Sequence, residues 1–556
     1  MDLRGCIIPV ILTSFAVCAT ANAQTTRPQR APSQQVETQL NDAGMLIQSG
    51  RLEEAETAIR KIISTNPRSA EAHTLLGVIL DQRGLPGEAE KEYGAALRLK
   101  PNLVGALSNL GVLLARTNRS DEAITKFEKV LSIDPRHERA IFNLGALYAA
   151  RKDFKRAVPL LEKASGVEAG KTEFREPGEV ALLLTLVNAY VHADRRAEAL
   201  ALSRRLEERV ASDPKALFTL ALSLAEAHEY PEAVRLFQRT NELRPQTYEV
   251  LYNLGLALYN LDRLDEAQHA LTAASALRPA EADTLYRLGL IASAQGDTPA
   301  ALTHWTKALE LRPVFAEVNF MIGEELLKKQ LAEKSIPFYE RALEQAQGQL
   351  VYFLRLGVAN VRGQRFERAR QVFTQALQHF PDNANLYFLL GYAGRAEGRY
   401  DEAVAAFKHA LELQPDNPDV LSNLGYIASQ RGENVEAERM LRRAIQFDPK
   451  SFPAYHDLGR LLVKLRRYEE AVPLLVRGVE LNSKDPGVHY QLFLAYSRLK
   501  RKADADRELA EFKRLDEVNR HGATPLSDAV KKDGETLPPL PSAASGDSAK
   551  PRTPEW

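Results

Sequence analysis

The stretch Ala384 to Pro415, ANLYFLLGYAGRAEGRYDEAVAAFKHALELQP, decides the fold. It carries the pattern of two short amphipathic helices joined by a turn. Tyr387, Leu390, Gly391 and Gly394 fall at i, i+3, i+4 and i+7, one face of a first helix. Ala403, Phe407 and Ala410 fall at i, i+4 and i+7, one face of a second. Gly398, between them, suits a turn position with positive φ. Pro415 ends the second helix, because proline cannot continue the hydrogen-bond ladder.

Outward from this stretch, the same unit recurs. Its small second-helix residue is found as Ala55, Ala89, Ala123 and Ala157. It continues as Ala199, Ala233, Ala267, Ala301, Ser335, Ala369, Ala403, Ala437, Ala471 and Ala505. The step is 34 residues throughout, except for 42 between Ala157 and Ala199. The first-helix glycine keeps that register from Gly77 to Gly459, and the closing proline from Pro67 to Pro449. Some copies depart from the pattern. Val187, Ala221 and Phe493 stand in glycine positions, Asp42-Ala43 opens the series, and Gln347 replaces a closing proline.

This pattern resembles the tetratricopeptide repeat, a 34-residue helix-turn-helix with Leu-Gly in its first helix and Ala plus a large apolar residue in its second. Fourteen copies fit, the first starting at residue 36 and the last ending near residue 519. The resemblance implies an all-α fold, a right-handed superhelical α-solenoid. One helix pair cannot bury its apolar stripe alone, so each packs on the next.

The expected organisation follows. Residues 1–23 read as an export signal, with Arg4 as a basic start, Ile7 to Ala19 as an apolar core and Ala21-Asn22-Ala23 as the cleavage site. Residues 24–35 are a polar, disordered linker, 36–171 hold repeats 1–4, and 180–519 hold repeats 5–14. The insertion, 172–179, lies in the glycine-rich run Gly166 to Glu179, where a local break or bend in the stack is expected. Residues 520–556 are rich in Pro, Ser, Lys and Gly and read as a disordered tail. The signal places the chain outside the cytoplasm, periplasmic or secreted. Its apolar run is shorter than the ~20 residues a membrane span needs, and no later stretch is apolar enough for one, so no span is expected in the mature chain.

Composition narrows the chemistry. The chain has 73 basic and 73 acidic residues, which argues against nucleic acid or an anionic membrane surface as a bulk electrostatic partner. Both cysteines, Cys6 and Cys18, fall in the signal, so the mature chain has none for thiol catalysis or zinc. Ser165 to Thr172, SGVEAGKT, approaches a phosphate-binding loop but has serine for its first glycine and follows a helix. The 11 histidines show no HExxH pattern and no i, i+4 pair on one helix. Acidic pairs such as Asp121-Glu122, Asp265-Glu266 and Asp401-Glu402 sit at the starts of second helices, where they complement the helix dipole. No catalytic residue, cofactor or metal is expected, and the chain reads as a non-enzyme.

The resemblance also implies a concave surface lined by first helices. Position 5 of the unit is largely aromatic, with Phe142, Phe218, Tyr252, Tyr286, Phe320 and Phe388, and Leu184 and Leu354 between them. Aromatic residues anchor bound peptides well, and they also pack neighbouring units. Position 6 holds Asn109, Asn143, Asn253 and Asn423. This is similar to the asparagine ladder in the repeat domain of O-linked N-acetylglucosamine transferase, which grips an extended peptide's backbone. Thr219, Arg287, Met321, Arg355 and Leu389 interrupt it here. Tyr392 and Tyr426, one turn further along their helices, complete the expected groove. The implied role is an exported scaffold for a protein or peptide ligand, similar to those of cell-envelope assembly or polysaccharide export machines. The alternative is a substrate-presenting or regulatory subunit of a separate enzyme such as a glycosyltransferase.

Overall fold

The computed structural model describes residues 32–166 and 177–521. These hold twenty-eight helices, which form fourteen consecutive antiparallel pairs. The expected signal, most of the linker, most of the insertion and nearly all of the tail lie outside the described residues. The opening helix, Pro32–Gln48, begins four residues ahead of the expected repeat start, and the last, Lys502–His521, ends two beyond it.

The chain divides into two units, one ending at Leu277 and the other starting at Arg278. Each contains seven helix pairs. In the first unit every first helix touches the first helix of the next pair, whereas successive second helices are farther apart. In the second unit the same holds from the Ala384–Ala396 helix to the Pro486–Arg498 helix. A stack spaced more closely on one side curves toward that side, so the first helices line the inner face.

Of the local break or bend expected between the fourth and fifth pairs, the described helices show no break in contact. The Phe154–Ser165 helix packs on the Pro177–His192 helix. Tyr190 donates to Glu162 at 2.8 Å, and Phe154 stacks on His192 with ring centroids 4.8 Å apart. A buried carboxylate–phenol bond and a ring pair hold the two pairs together at this point.

Small residues and large ones meet in a fixed way inside each pair. A Cβ added at Gly391 would lie 2.7 Å from the Phe407 ring, at Gly111 2.8 Å from Phe127, and at Gly323 2.8 Å from Tyr339. The repeating glycine is therefore a socket for the large residue of the second helix. A Cβ added at a different glycine, Gly394, would lie 3.5 Å from the Ala403 side chain. The burial of the first helix also differs from the simple one-face reading. Leu386, Leu389 and Ala393 are fully covered, while Tyr387 and Leu390 are half-buried at the edge of the same core. A helix wedged between two neighbours buries more than one stripe.

Turns between paired helices share one backbone state. Gly398 has φ +81°, as its position requires, and Gly50, Gly84, Gly296 and Gly432 match it. The same turn position carries Asn118, Asp194, Asp262, Gln364, Arg466 and Lys500, all left-handed as well.

Candidate functional site

The first-helix row is the surface to examine, and the expected aromatic stripe lies mostly inside it rather than on it. Phe218, Tyr252, Phe320 and Phe388 are all buried. Phe218 lies 5.7 Å from the Phe237 ring, Phe320 4.9 Å from Tyr352, and Phe388 6.1 Å from Phe407. Tyr252 lies 5.7 Å from Tyr248. Phe142 and Tyr286 are half-buried, the latter 5.3 Å from Phe315. Phe218 and Phe388 pack on the second helix of their own pair and Phe320 reaches the next pair, so four of the six are core residues and not surface anchors.

The asparagines are also partly committed. Asn253 donates its side-chain amide to the Glu249 carbonyl of its own helix at 2.7 Å, and Asn423 does the same to Asp419 at 2.8 Å. Asn423 keeps its Oδ1 buried and without a hydrogen-bond partner. Asn109 and Asn143 are half-buried on first helices of the first unit. The arginine that interrupts the series at Arg355 reaches back one repeat to Glu324, with Nε 3.1 Å from Oε1. Both ends of that pair are almost fully buried, and Glu324 also accepts the Tyr339 hydroxyl at 2.5 Å. Burial and the adjacent carboxylate push the Tyr339 hydroxyl well above its usual range.

One constellation on the row is different. It spans the helices Ala384–Ala396, Pro418–Arg431 and Phe452–Lys464. Arg395 places its guanidinium 4.9 Å from the Tyr426 ring centroid and 5.2 Å from Tyr392 of its own helix. Arg460, one pair further on, lies 4.9 Å from that same Tyr426 ring. Two cations from flanking repeats thus share one aromatic ring, a geometry that holds guanidinium groups flat and pre-oriented. Arg395 has no carboxylate within ion-pair distance among the described residues, and its Nε is buried without a hydrogen-bond partner. Arg460 lies 2.9 Å from Asp457, but its Nη2 is not aligned to hydrogen-bond it. His456, stacked on Phe452 at 5.7 Å, also has an unpartnered buried Nε2.

Three expected groove residues, Tyr392, Asn423 and Tyr426, fall in this constellation. The others are spread over both units and form no second cluster with it. His456 and Arg460 were outside the expected site. Their signal in the sequence was the repeat register itself, since Arg460 occupies the same position as Tyr392 and Tyr426.

Arg287 shows a related arrangement, with its guanidinium 5.1 Å from the Tyr286 ring and its Nε buried without a hydrogen-bond partner. A shallow depression of about 660 Å³ lies among Glu340, Gln364, Arg368 and Glu397. Its charges are matched locally: Arg368 reaches Glu340 at 3.4 Å, and Arg370 reaches Glu397 at 2.8 Å. No cluster of three potential metal ligands occurs among the described residues, and none of their helices is long and apolar enough to cross a membrane.

Family profiles described as the tetratricopeptide repeat match residues 46–104, 104–137, 252–302, 286–349, 354–418, 395–462 and 452–485. Together they span more than half of the chain. The chain belongs to the tetratricopeptide repeat family. No curated protein matches the sequence. Among solved structures the chain is similar to yeast Tom70, at 14% identity over 91% of this chain and 100% of that one, with a TM-score of 0.30. It is similar to the APC/C hetero-tetramer Cut9-Hcn1 at 16% identity, over 90% of this chain and 96% of that one, with a TM-score of 0.35. It is similar also to the C-terminal part of a repeat protein from Cytophaga hutchinsonii, at 18% identity over 43% and 99%, with a TM-score of 0.40. Superpositions at these scores carry no functional information. What the tetratricopeptide repeats do support is a protein–protein interaction scaffold.

Proposed function

We propose that this tetratricopeptide repeat chain is an exported, non-enzymatic scaffold. Its first-helix row holds a protein or peptide segment, in cell-envelope assembly or polysaccharide export. The observation that carries the binding reading is the Arg395–Tyr426–Arg460 stack, in which two guanidinium groups from flanking repeats lie against one half-buried ring on the first-helix row. Tyrosine and arginine are enriched among the residues that anchor protein partners, so their clustering on a first-helix row supports a contact surface there. The export reading rests on the pattern of residues 1–23.

A displayed library of random peptides, selected on residues 24–556, tests the binding reading. Wild-type protein should enrich a related set of peptides. A Tyr426→Leu variant with an unchanged melting temperature should lose that set. Equal enrichment by both proteins, or none by either, would overturn it. Mass analysis of the protein recovered from whole cells tests export: the mature chain should begin at Gln24, and an intact Met1 end would contradict the assignment.

A further inference from the structure

The last helix pair, Pro486–Arg498 and Lys502–His521, is followed by no further described helix, and its end face departs from the repeat. Position 5 is between 1% and 7% exposed in Phe218, Tyr252, Phe320 and Phe388, each in a pair that another pair follows. Its counterpart in the last pair, Tyr490, is 40% exposed. Two further aromatics flank it. Phe493 stands in the glycine position, and Phe512 stands where earlier pairs have Ala376, Ala410 and Gly478. Tyr490 lies 6.1 Å from the Phe493 ring and 5.2 Å from the Phe512 ring, and both phenylalanines are half-buried. We propose that residues 537–541 of the same chain, Leu-Pro-Pro-Leu-Pro, dock across Tyr490, Phe493 and Phe512 and close the end of the stack. This contact is independent of the ligand read for the inner row.

The face decides against another helix pair as its cover. A Cβ added at Gly478 would lie 3.1 Å from Val488 of the next pair, so this position is small where a pair stacks. Phe512 occupies it in the last pair, and its ring fills the seat that a further pair would need. A thinner, extended segment meets no such obstacle. Three prolines in five residues set their φ angles before binding, so little conformational entropy is lost on docking. Aromatic-lined surfaces are what proline-rich segments dock against. Adjacent prolines offer carbonyl acceptors and no N–H, and Tyr490 brings a hydroxyl that can donate to one.

The length of chain allows the return. Phe512 lies nine residues before His521 on its helix, a rise of about 14 Å. The sixteen residues from His521 to Leu537 span about 20 Å on average as a flexible chain, which brings the segment back to the face without stretching. The tether makes docking intramolecular, an advantage that a free peptide or a second copy lacks. An uncovered aromatic patch is otherwise a site of association, so a tethered cover keeps the end of the stack from pairing with other chains.

The test is photo-cross-linking in the full chain, with a photoreactive side chain in place of Ser542 and the adducts mapped by peptide mass analysis. Adducts should concentrate within residues 486–515 of the same molecule. Leu537→Ser combined with Leu540→Ser alters no residue of the helix pairs and should lower their yield about tenfold. Tyr490→Phe should keep most of the yield, and Tyr490→Ser should lose it. Adducts spread over the repeats of both units, or a yield unchanged by the double leucine variant, would overturn the proposal. Mixing isotope-labelled with unlabelled protein distinguishes the other occupant. Adducts formed mainly between two molecules would put a second copy on the face and overturn the proposal as well.

Discussion

Gly391 and Phe407 show how the repeat works at the scale of single residues. The glycine lacks a Cβ because the ring of the second helix occupies that space. Gly391→Ala should cost about 1–3 kcal/mol by overpacking, read as a lowered urea midpoint at constant slope. The fifth repeat tests the same rule from the other side. There Val187 takes the glycine position and Ser203 the position of the large residue, and both are buried. Bulk has moved from one helix to the other. Val187→Gly should leave a cavity and Ser203→Leu should overpack, each destabilising by about 1–3 kcal/mol. The double variant should lose less than the sum, and additive losses in a double-mutant cycle would contradict the exchange. The glycine positions were legible in the sequence from spacing alone. Which residue each faced was not, because Ala403 and Phe407 both lie on the second helix's buried face and only the crossing distinguishes them. The same limit affected the aromatic stripe: Phe320 and Phe388 have the right register for a groove but are buried, Phe388 against Phe407 of its own pair and Phe320 against Tyr339 and Tyr352.

At the scale of elements, two features join helix to helix. The first is the turn. Gln364 holds a left-handed φ of +58° where other repeats use glycine. Gln364→Gly should relieve that strain and raise stability by up to about 1 kcal/mol, measured by thermal melts. A drop in melting temperature would mean the side chain contributes more than the backbone state costs. The second feature is a ladder of arginines just ahead of the second helices. Arg467 donates to Glu438 of the preceding pair at 2.6 Å and to Glu470 of its own at 2.7 Å. Arg119 does the same with Glu90 and Glu122. The acidic residues at helix starts were legible as complements of the dipole; their arginine partners a repeat away were not, since that pairing depends on how the stack closes. The hydrogen bond from Arg467 holds the Glu438 carboxyl below its usual value of 4.5. A carboxyl lowered on folding stabilises the protein fully above its unfolded value, and that contribution is lost as pH falls through the lowered value. Arg467→Gln should therefore melt earlier than wild type at neutral pH, with the gap closing in acid below about pH 4.5. A gap that stays constant with pH would assign the loss to packing instead.

At the scale of the whole molecule, the chain is built from repetition with local exceptions. Fourteen helix pairs follow from one 34-residue pattern, and that much was readable from Ala55 to Ala505. The proposed binding face draws on positions the pattern leaves free. Arg395, Tyr426 and Arg460 come from three successive repeats, and only stacking brings them around one ring. No single repeat of the sequence displays that site, although each of its residues sits at a register position. The central claim is that this inner row, and not the outer second helices, meets the partner. Site-specific photo-cross-linking in cells tests it most directly, with a photoreactive side chain placed at exposed Ala396 beside Arg395, or at Val435, 86% exposed on a second helix. The account predicts a discrete protein adduct from position 396 that disappears with Tyr426→Leu, and none from position 435. Adducts of equal yield from both positions, or an adduct from 435 alone, would contradict it.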